Sequence, residues 1–282
     1  MPKSKDPTQT LGLRRRFAGT AYKRFRKLKG RTRDLITDQD YFHLRTNQEV
    51  PPPPPQSEDA SQAQQQQNFE AWLESAIAAL ILLPPMQQTL TSHWMGSYIQ
   101  QGYRQGVERA RRDLIDSGRT VDGTQTQEDA TADQLMRQVL NDPVHAQQLE
   151  SEFQRSLSEL KGITDTMRQQ MVRELTDGIQ QGLTPEEIAS NINDRVDKVG
   201  IHRARLLANT ETVRAHATAQ LNEYERQGVE EVAGVAEVRF TTAGDERVCP
   251  TCRSLEGNVY TIQQARGVIP AHVACRCAWR PA

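Results

Sequence analysis

The residues best suited to chemistry lie near the C-terminus, where all four cysteines of the chain occur together with a histidine. Cys249 and Cys252 form a Cys-x2-Cys knuckle, and His272, Cys275 and Cys277 form a His-x2-Cys-x-Cys element. Thiolate sulfur and imidazole nitrogen are the usual ligands of tetrahedral Zn²⁺. The spacing predicts a zinc site of Cys249, Cys252, His272 and Cys275, with Cys277 either replacing one of them or packing beneath the site.

Two other uses of these residues stay open at this level. The same cysteines could form disulfides or remain free thiols, but the N-terminal sequence has no signal-peptide pattern, so we expect a reducing compartment. A catalytic zinc would keep one coordination position open and would need a general base, for which Asp245, Glu246 and Glu256 are the candidates. Because thiolate-rich zinc sites are usually structural, we predict a structural Zn²⁺ and no catalytic residues.

The elements that must position this site come from a polar chain of 282 residues, with 36% hydrophobic and 5% aromatic residues and a mean hydropathy of -0.71. Such a composition is poor material for one large core. We predict a mainly α fold, with a helical body, a small C-terminal α+β zinc-stapled subdomain and an extended basic N-terminal arm. The predicted boundaries are 1–50 for the arm, 51–67 for a Pro/Gln-rich linker, 68–118 for a helical hairpin region, 119–133 for a loop, 134–234 for the helical body and 235–282 for the zinc-knuckle subdomain.

The net charge of -1 conceals a strongly basic start. Residues 1–33 contain twelve Lys or Arg and a single acid, Asp6, which gives this segment a charge of +11. Neutralising phosphates with such a segment releases counterions and produces sequence-tolerant binding, so DNA or an acidic protein surface is the expected partner, although a solvated tail or a transit peptide would have a similar composition. The predicted nucleic-acid-binding residues are Arg14, Arg15, Arg16, Lys23, Arg24, Arg26, Lys27, Lys29, Arg31 and Arg33.

Hydrophobic periodicity predicts a helical hairpin in 68–118. Apolar residues recur at steps of three and four from Phe69 to Ile81, and Pro84 ends that helix. The apolar run 76–83 is too short to span a bilayer, so we predict a buried helix face and no membrane segment. A second helix is predicted over 86–116, where the spacing of Gly102, Gly106 and Ala110 indicates either close approach of another helix or chain or a tolerated departure from helix propensity.

The helical body has the most regular pattern. One helical face runs from Phe153 to Ile179, with a break expected near Gly162. Thr184 is predicted to cap the next helix through a capping box with Glu187. A longer helix follows over 201–227, with Gly228 expected at its C-terminal cap.

A polar stretch within that last helix has three interpretations. Arg205, Thr210, Glu211 and Arg214 would either make a buried polar network with the zinc subdomain or contact a ligand, or else form a solvated face with i to i+4 charge pairs. We favour the solvated face. Strand character begins at about residue 235 and leads into the knuckle.

Several motifs occur together in a fixed order. They include Gly-Leu-Thr-Pro-Glu-Glu-Ile-Ala at 182–189, Arg-Ala-Arg-Leu-Leu-Ala-Asn-Thr-Glu-Thr at 203–212, Asp-x-Arg-x-Cys-x2-Cys at 245–252 and Pro-x-His-x2-Cys-Arg-Cys at 270–277. This succession, which covers about the last hundred residues, resembles the minor head proteins of tailed bacteriophages, the head morphogenesis family named after the F protein of phage Mu. The family usually has tryptophan near Phe240 and often two prolines before the histidine, and neither departure removes a candidate ligand.

The resemblance implies a structural protein of the virion, present in multiple copies though few, at the portal vertex or capsid interior and in the host cytoplasm during assembly. It implies a role in procapsid assembly, DNA packaging or DNA delivery, with the portal protein and the major capsid or scaffolding protein as partners and no membrane partner. The basic N-terminal segment indicates phage genomic DNA as a further partner. The alternatives are a zinc-dependent nucleic-acid-binding regulator and a zinc hydrolase or nuclease.

Overall fold

The structure is a computed structural model that describes residues 6–38, 58–119, 121, 137, 139–227 and 237–282. Within these residues the protein is mainly helical and carries one small antiparallel sheet, so the predicted mainly α class with an α+β end is confirmed. The helices are α1 (Leu11–Thr37), α2 (Glu58–Ile77), α3 (Gly96–Asp116), α4 (Pro143–Gln180), α5 (Pro185–Arg195), α6 (His202–Arg226), α7 (Pro250–Leu255) and α8 (Ile262–Ala265), and the strands are β1 (Glu237–Thr241), β2 (Val259–Thr261) and β3 (Ala278–Pro281).

The basic N-terminal segment is not extended where the structure describes it, and that part of the prediction is wrong. Residues Leu11–Thr37 form α1. Phe17, Ala21, Phe25 and Leu28 recur at steps of three and four, and each is almost completely buried. Burying this apolar stripe stabilises the helix and outweighs the repulsion among its basic residues.

The linker and hairpin boundaries also shift. The glutamine-rich residues from Glu58 onward are helical rather than a spacer, since α2 runs to Ile77 and a π-helical segment, Ala78–Leu82, extends it to the predicted stop before Pro84. The second helix starts at Gly96, ten residues later than predicted, after a 3₁₀ turn at Pro85–Gln87. The predicted loop 119–133, the proline run 51–55 and the cap at Gly228 lie almost entirely outside the described residues.

Length and composition alone make Ala63–Gln87 a candidate membrane span, with a mean hydropathy of 1.3 in its most apolar window. Buried helices in the core of a globular protein can have the same length and mean hydropathy. In this run Phe69, Leu73 and Ile81 are completely buried within the protein. The absence of a membrane segment therefore remains a prediction.

Two compact units divide the chain. The first unit comprises Met1–Phe17, Thr89–Ser156 and Leu206–Ala282, and the second comprises Ala18–Gln88 and Leu157–Arg205. In the second unit, Gly200 lies against the side chains of Phe25 and Met167, and Gly178 lies against Ile188. The capping box of α5 is present as predicted, because the Glu187 amide donates to Thr184 Oγ1 and the Thr184 amide donates to Glu187 Oε2.

The helix α4 is continuous, so the break expected near Gly162 is wrong. Open space surrounds that glycine, and no neighbouring group forces a bend. The predicted apolar face is buried from Phe153 to Leu175. A glycine in a helix interior lowers helix propensity by about 1 kcal/mol without necessarily ending the helix.

In the first unit, the glycine row of α3 lies close to another helix, as predicted, and that helix is α6. A Cβ added at Gly102 would be 3.3 Å from Thr212, and one added at Gly106 would be 2.3 Å from the carbonyl oxygen of His216 and 2.8 Å from Ala219 Cβ. The two helix backbones therefore approach too closely at Gly106 for any side chain.

Replacing Gly106 with alanine is expected to destabilise the protein by about 1 to 3 kcal/mol, because the backbone of α6 would have to move. Gly162→Ala is the matched control, since it adds the same methyl group in open space and should stabilise α4 by up to about 1 kcal/mol. Guanidinium chloride unfolding measures both effects. An unfolding midpoint for Gly106→Ala at or above that of Gly162→Ala would contradict the close packing of α3 on α6.

The C-terminal module, which we define as residues 237–282, contains the sheet in the order β2-β1-β3. Phe240 of β1 pairs with Trp279 of β3, and their rings meet edge to face with centroids 5.8 Å apart. Both are completely buried and share one core with Leu221 and Tyr224 of α6. The module therefore packs directly on α6.

Candidate metal centre

The knuckle is set by the start of a short helix. Cys249 is the N-cap of α7, Pro250 occupies the first helical position, and the Cys252 amide donates to Cys249 Sγ over 3.3 Å. This turn directs both sulfur atoms to one side, as a Cys-x2-Cys zinc knuckle requires.

A loop before β3 supplies the other donors. His272 Nδ1 donates to the carbonyl oxygen of Val273 over 2.8 Å, and Nε2 is the ring nitrogen that faces the cysteine sulfur atoms. Ala274 has a positive φ of 60°, and its amide donates to Thr210 Oγ1 of α6 over 3.0 Å. Thr210 thus anchors the loop between His272 and Cys275.

The five predicted ligands lie in two overlapping groups. His272 Nε2 is 3.1 Å from Cys249 Sγ and 3.0 Å from Cys252 Sγ, while Cys252 Sγ is 3.8 Å from Cys275 Sγ. Two sulfur ligands of one tetrahedral zinc are separated by about 3.8 Å, given Zn–S bonds of about 2.3 Å. The donors form two groups that share Cys252, one with Cys249 and His272 and the other with Cys275 and Cys277, and the atoms of each group lie within 4.8 Å of one another. The donor types suit Zn²⁺, but Cys249, Cys252, His272 and Cys275 do not form a single group of four within that distance.

The thiols are free and two of them favour the thiolate. All four cysteines lie in the described residues, and none forms a disulfide. The hydrogen bond from the Cys252 amide lowers the pKa of Cys249. A hydrogen bond from Cys277 is the main cause that lowers the pKa of Cys275 to about 5. Since the thiolate is the metal-binding form, these two shifts favour metal binding, whereas burial raises the pKa of Cys252 to about 12 and opposes it.

Two carboxylates considered as general bases are held in other contacts. Arg276 binds Asp245 with two nitrogens, at 2.8 and 2.6 Å, and Arg247 contacts the same carboxylate. Glu256 accepts a hydrogen bond from the Thr242 amide over 2.7 Å. Glu246 is exposed. These contacts give Asp245 and Glu256 structural roles beside the cluster.

The polar stretch of α6 is divided between the buried-network and solvated-face interpretations. Thr210 contacts the loop between His272 and Cys275, and Glu211 is buried, where it accepts from Ser156 Oγ of α4 over 3.0 Å and pairs with Arg155 of α4 at 2.9 Å. Burial is the main cause that raises the pKa of Glu211. Arg205 is exposed. The solvated-face interpretation is therefore wrong for Thr210 and Glu211.

Gln220 supports the module and was not predicted. Its side-chain amide donates to the carbonyl oxygen of Trp279 over 3.0 Å and accepts from the Trp279 amide over 3.2 Å. The Gln220 side chain thereby continues the hydrogen bonding of β3 from a position 59 residues away in sequence. No local periodicity predicts such a contact.

A buried polar cluster around Glu223 was also missed. His145 Nε2 lies 3.0 Å from Glu223 Oε2, and Arg111 Nε lies 2.8 Å from Glu223 Oε1. Arg226 binds the same carboxylate with two nitrogens, each at 2.9 Å. Burial opposes ionisation of Glu223, but the hydrogen bonds and charges of these partners outweigh it and hold the pKa of Glu223 well below its ordinary value.

The ten predicted nucleic-acid-binding residues are not equivalent. Arg14 is buried and pairs with Asp6, Arg24 donates to the carbonyl oxygen of Leu80 over 2.6 Å, and Lys29 pairs with Asp197 at 2.6 Å. These three have intramolecular partners. The other seven side chains are solvent-exposed: Arg15, Arg16, Lys23, Arg26, Lys27, Arg31 and Arg33.

The fold and the site define a class: a mainly helical protein with a C-terminal Cys/His-clustered α+β module. Residues 169–280 match the family described as phage Mu protein F like protein, which confirms the family resemblance for that part of the chain.

A curated relative adds a second comparison. An uncharacterized protein of the archaeon Methanocaldococcus jannaschii is 29% identical over 120 residues, which is 42% of this chain. The matched region spans 18% of the length of that relative. No solved structure matches the chain.

Proposed function

We propose that the protein is a minor capsid protein of a tailed bacteriophage that acts in head morphogenesis. It would work at the portal vertex or capsid interior, in procapsid assembly, DNA packaging or DNA delivery. The portal protein, the major capsid or scaffolding protein and the genome are its expected partners, and multiple copies are expected in each virion. The observation that carries this proposal is the family match over 169–280, which contains every predicted metal ligand.

The proposed role of the metal is structural. Zn²⁺ would be held by Cys249, Cys252, His272 and Cys275, with Cys277 as the alternative ligand, and would fix the knuckle to the loop before β3. Cys252, Cys275 and Cys277 are almost completely buried. A thiolate-rich site with buried sulfur atoms is typical of zinc that stabilises a fold, and we therefore propose a non-enzymatic protein.

The test is the location of the protein during infection by the phage that encodes it. Immunoblotting of purified procapsids and virions is expected to detect the chain at far fewer copies than the major capsid protein. Deleting its gene should reduce the yield of DNA-filled or infective particles. A gene deletion complemented by the wild-type chain is the control for effects on neighbouring genes.

Detection of the chain in infected cells but not in purified procapsids or virions would contradict the proposal. If the deletion left head production normal and instead changed transcription, the regulator alternative would replace it.

A further inference from the structure

The exposed side of α1 within the second unit is basic. Exposed residues recur there at steps of three and four, opposite the buried Phe25 and Leu28. We call four of them the basic face: Lys23, Arg26, Lys27 and Arg31. Helical geometry places the Cα atoms of Lys23 and Arg31 about 12 Å apart along the axis. The basic face is therefore one stripe about two turns long.

The charge of this stripe is not compensated within the described residues. None of the four side chains forms an ion pair there, whereas Lys29 of the same helix pairs with Asp197. The only acidic residue in α1 is Asp34. Four like charges on two adjacent turns repel one another, and a polyanion laid along the stripe would relieve that repulsion.

The shape of the stripe fits a nucleic-acid backbone. Gly19 and Gly30 border the basic face, and open space surrounds both. Without side chains at these positions, the helix can lie close to a row of phosphates. Arg and Lys bind phosphate oxygens directly, and contacts limited to phosphates carry no sequence information.

A membrane surface fits less well. Amphipathic helices that bind bilayers insert an apolar side into the lipid. In α1 that side is used for packing, since Ala21, Phe25 and Leu28 are almost completely buried. Tyr22, 43% exposed, is the one large apolar side chain in this stretch that reaches solvent. The helix therefore offers charge without an insertable apolar face.

We propose that Lys23, Arg26, Lys27 and Arg31 form a binding surface for the sugar-phosphate backbone of double-stranded DNA, without sequence preference. This inference rests on the proposed function, in which the packaged genome supplies the duplex. It also goes beyond the family match, because α1 lies outside residues 169–280. Arg14, Arg24 and Lys29 are assigned to intramolecular contacts instead.

The test compares two full-length variants with the same change in charge. The first carries K23Q, R26Q, K27Q and R31Q. The control neutralises four exposed basic residues of α4, α6 and the segment between them in the same unit: K161Q, R173Q, K198Q and R203Q. Binding to a short random-sequence DNA duplex is measured by fluorescence anisotropy as a function of salt, and far-UV circular dichroism checks that each variant is folded.

For wild type and control, four phosphate contacts should contribute about -3.6 to the slope of log K against log salt. Between about 50 and 200 mM salt, this contribution lowers the affinity of the wild type about a hundredfold. The K23Q/R26Q/K27Q/R31Q variant should lack that part of the decrease. Equal slopes for the two variants would overturn the proposal. So would unchanged DNA binding accompanied by lost binding to phosphatidylglycerol vesicles, which would assign the stripe to a membrane.

The two proposals can fail separately. Loss of the salt-dependent DNA contribution in a protein that is absent from virions would support the DNA surface and reject the head role. Equal slopes in a protein that is present in virions would reject the DNA surface alone.

Discussion

The C252S variant is expected to lose the metal and to unfold the C-terminal module. Cys252 belongs to both groups of candidate ligands, and its side chain is almost completely buried. Apparent zinc-binding free energies of about 10 to 16 kcal/mol become folding energy when the site forms only in the folded state. A small module with a three-stranded sheet has too little apolar core to replace that contribution.

Thermal unfolding and tryptophan fluorescence measure this effect. Trp279 is completely buried in the module and should become exposed in C252S and in wild type treated with a chelator. A second comparison, with a smaller expected effect, uses two exposed histidines. H272A should lower metal affinity, whereas H202A should not. A C252S protein with the thermal stability and Trp279 emission of the wild type would contradict a structural metal.

Replacing Glu223 with glutamine is expected to destabilise the protein by about 3 to 5 kcal/mol, as for other buried pairs that lose one charge. The Glu223 side chain has no exposed surface, and Arg111, His145 and Arg226 all direct nitrogen atoms to it. Glutamine cannot balance the charges of Arg111 and Arg226. Glu225→Gln is the matched control, since Glu225 is one-third exposed and its pair with Arg266 should contribute about 0 to 1 kcal/mol.

The pH dependence of folding stability follows from the lowered pKa of Glu223. The folded pKa of Glu223 lies below its ordinary value of 4.5, so the ionised carboxylate stabilises the fold above that pH. This contribution is lost as the pH falls toward the folded pKa. E223Q should therefore lose less stability than wild type between about pH 5 and about pH 3. Guanidinium chloride unfolding at both pH values tests this, and equal losses would show that Glu223 is not the ionised centre of the cluster.

Local patterns predicted the parts of the molecule that local chemistry determines. The spacing of the cysteines and His272 was sufficient to predict that they lie near one another, because each turn is short, but not that they form two groups joined at Cys252. The capping box at Thr184 is similarly contained within four residues. The row of Gly102 and Gly106 predicted a close helix contact, although it could not identify α6 as the partner.

The failures have two physical causes. In α1 the burial of Phe17, Ala21, Phe25 and Leu28 outweighs the repulsion among the basic residues, which the charge of the segment does not reveal. Glu223 and Gln220 carry no local signal at all. Their partners His145 and Trp279 are 78 and 59 residues away, and only tertiary packing brings them together.

The most direct test of the account is the metal content of the purified chain, measured by elemental analysis for wild type and for the C249S/C252S variant. The account predicts one zinc per wild-type chain and none in the variant, together with a lower melting temperature. A wild-type protein that contains no metal, and whose stability does not respond to added zinc or to a chelator, would contradict it.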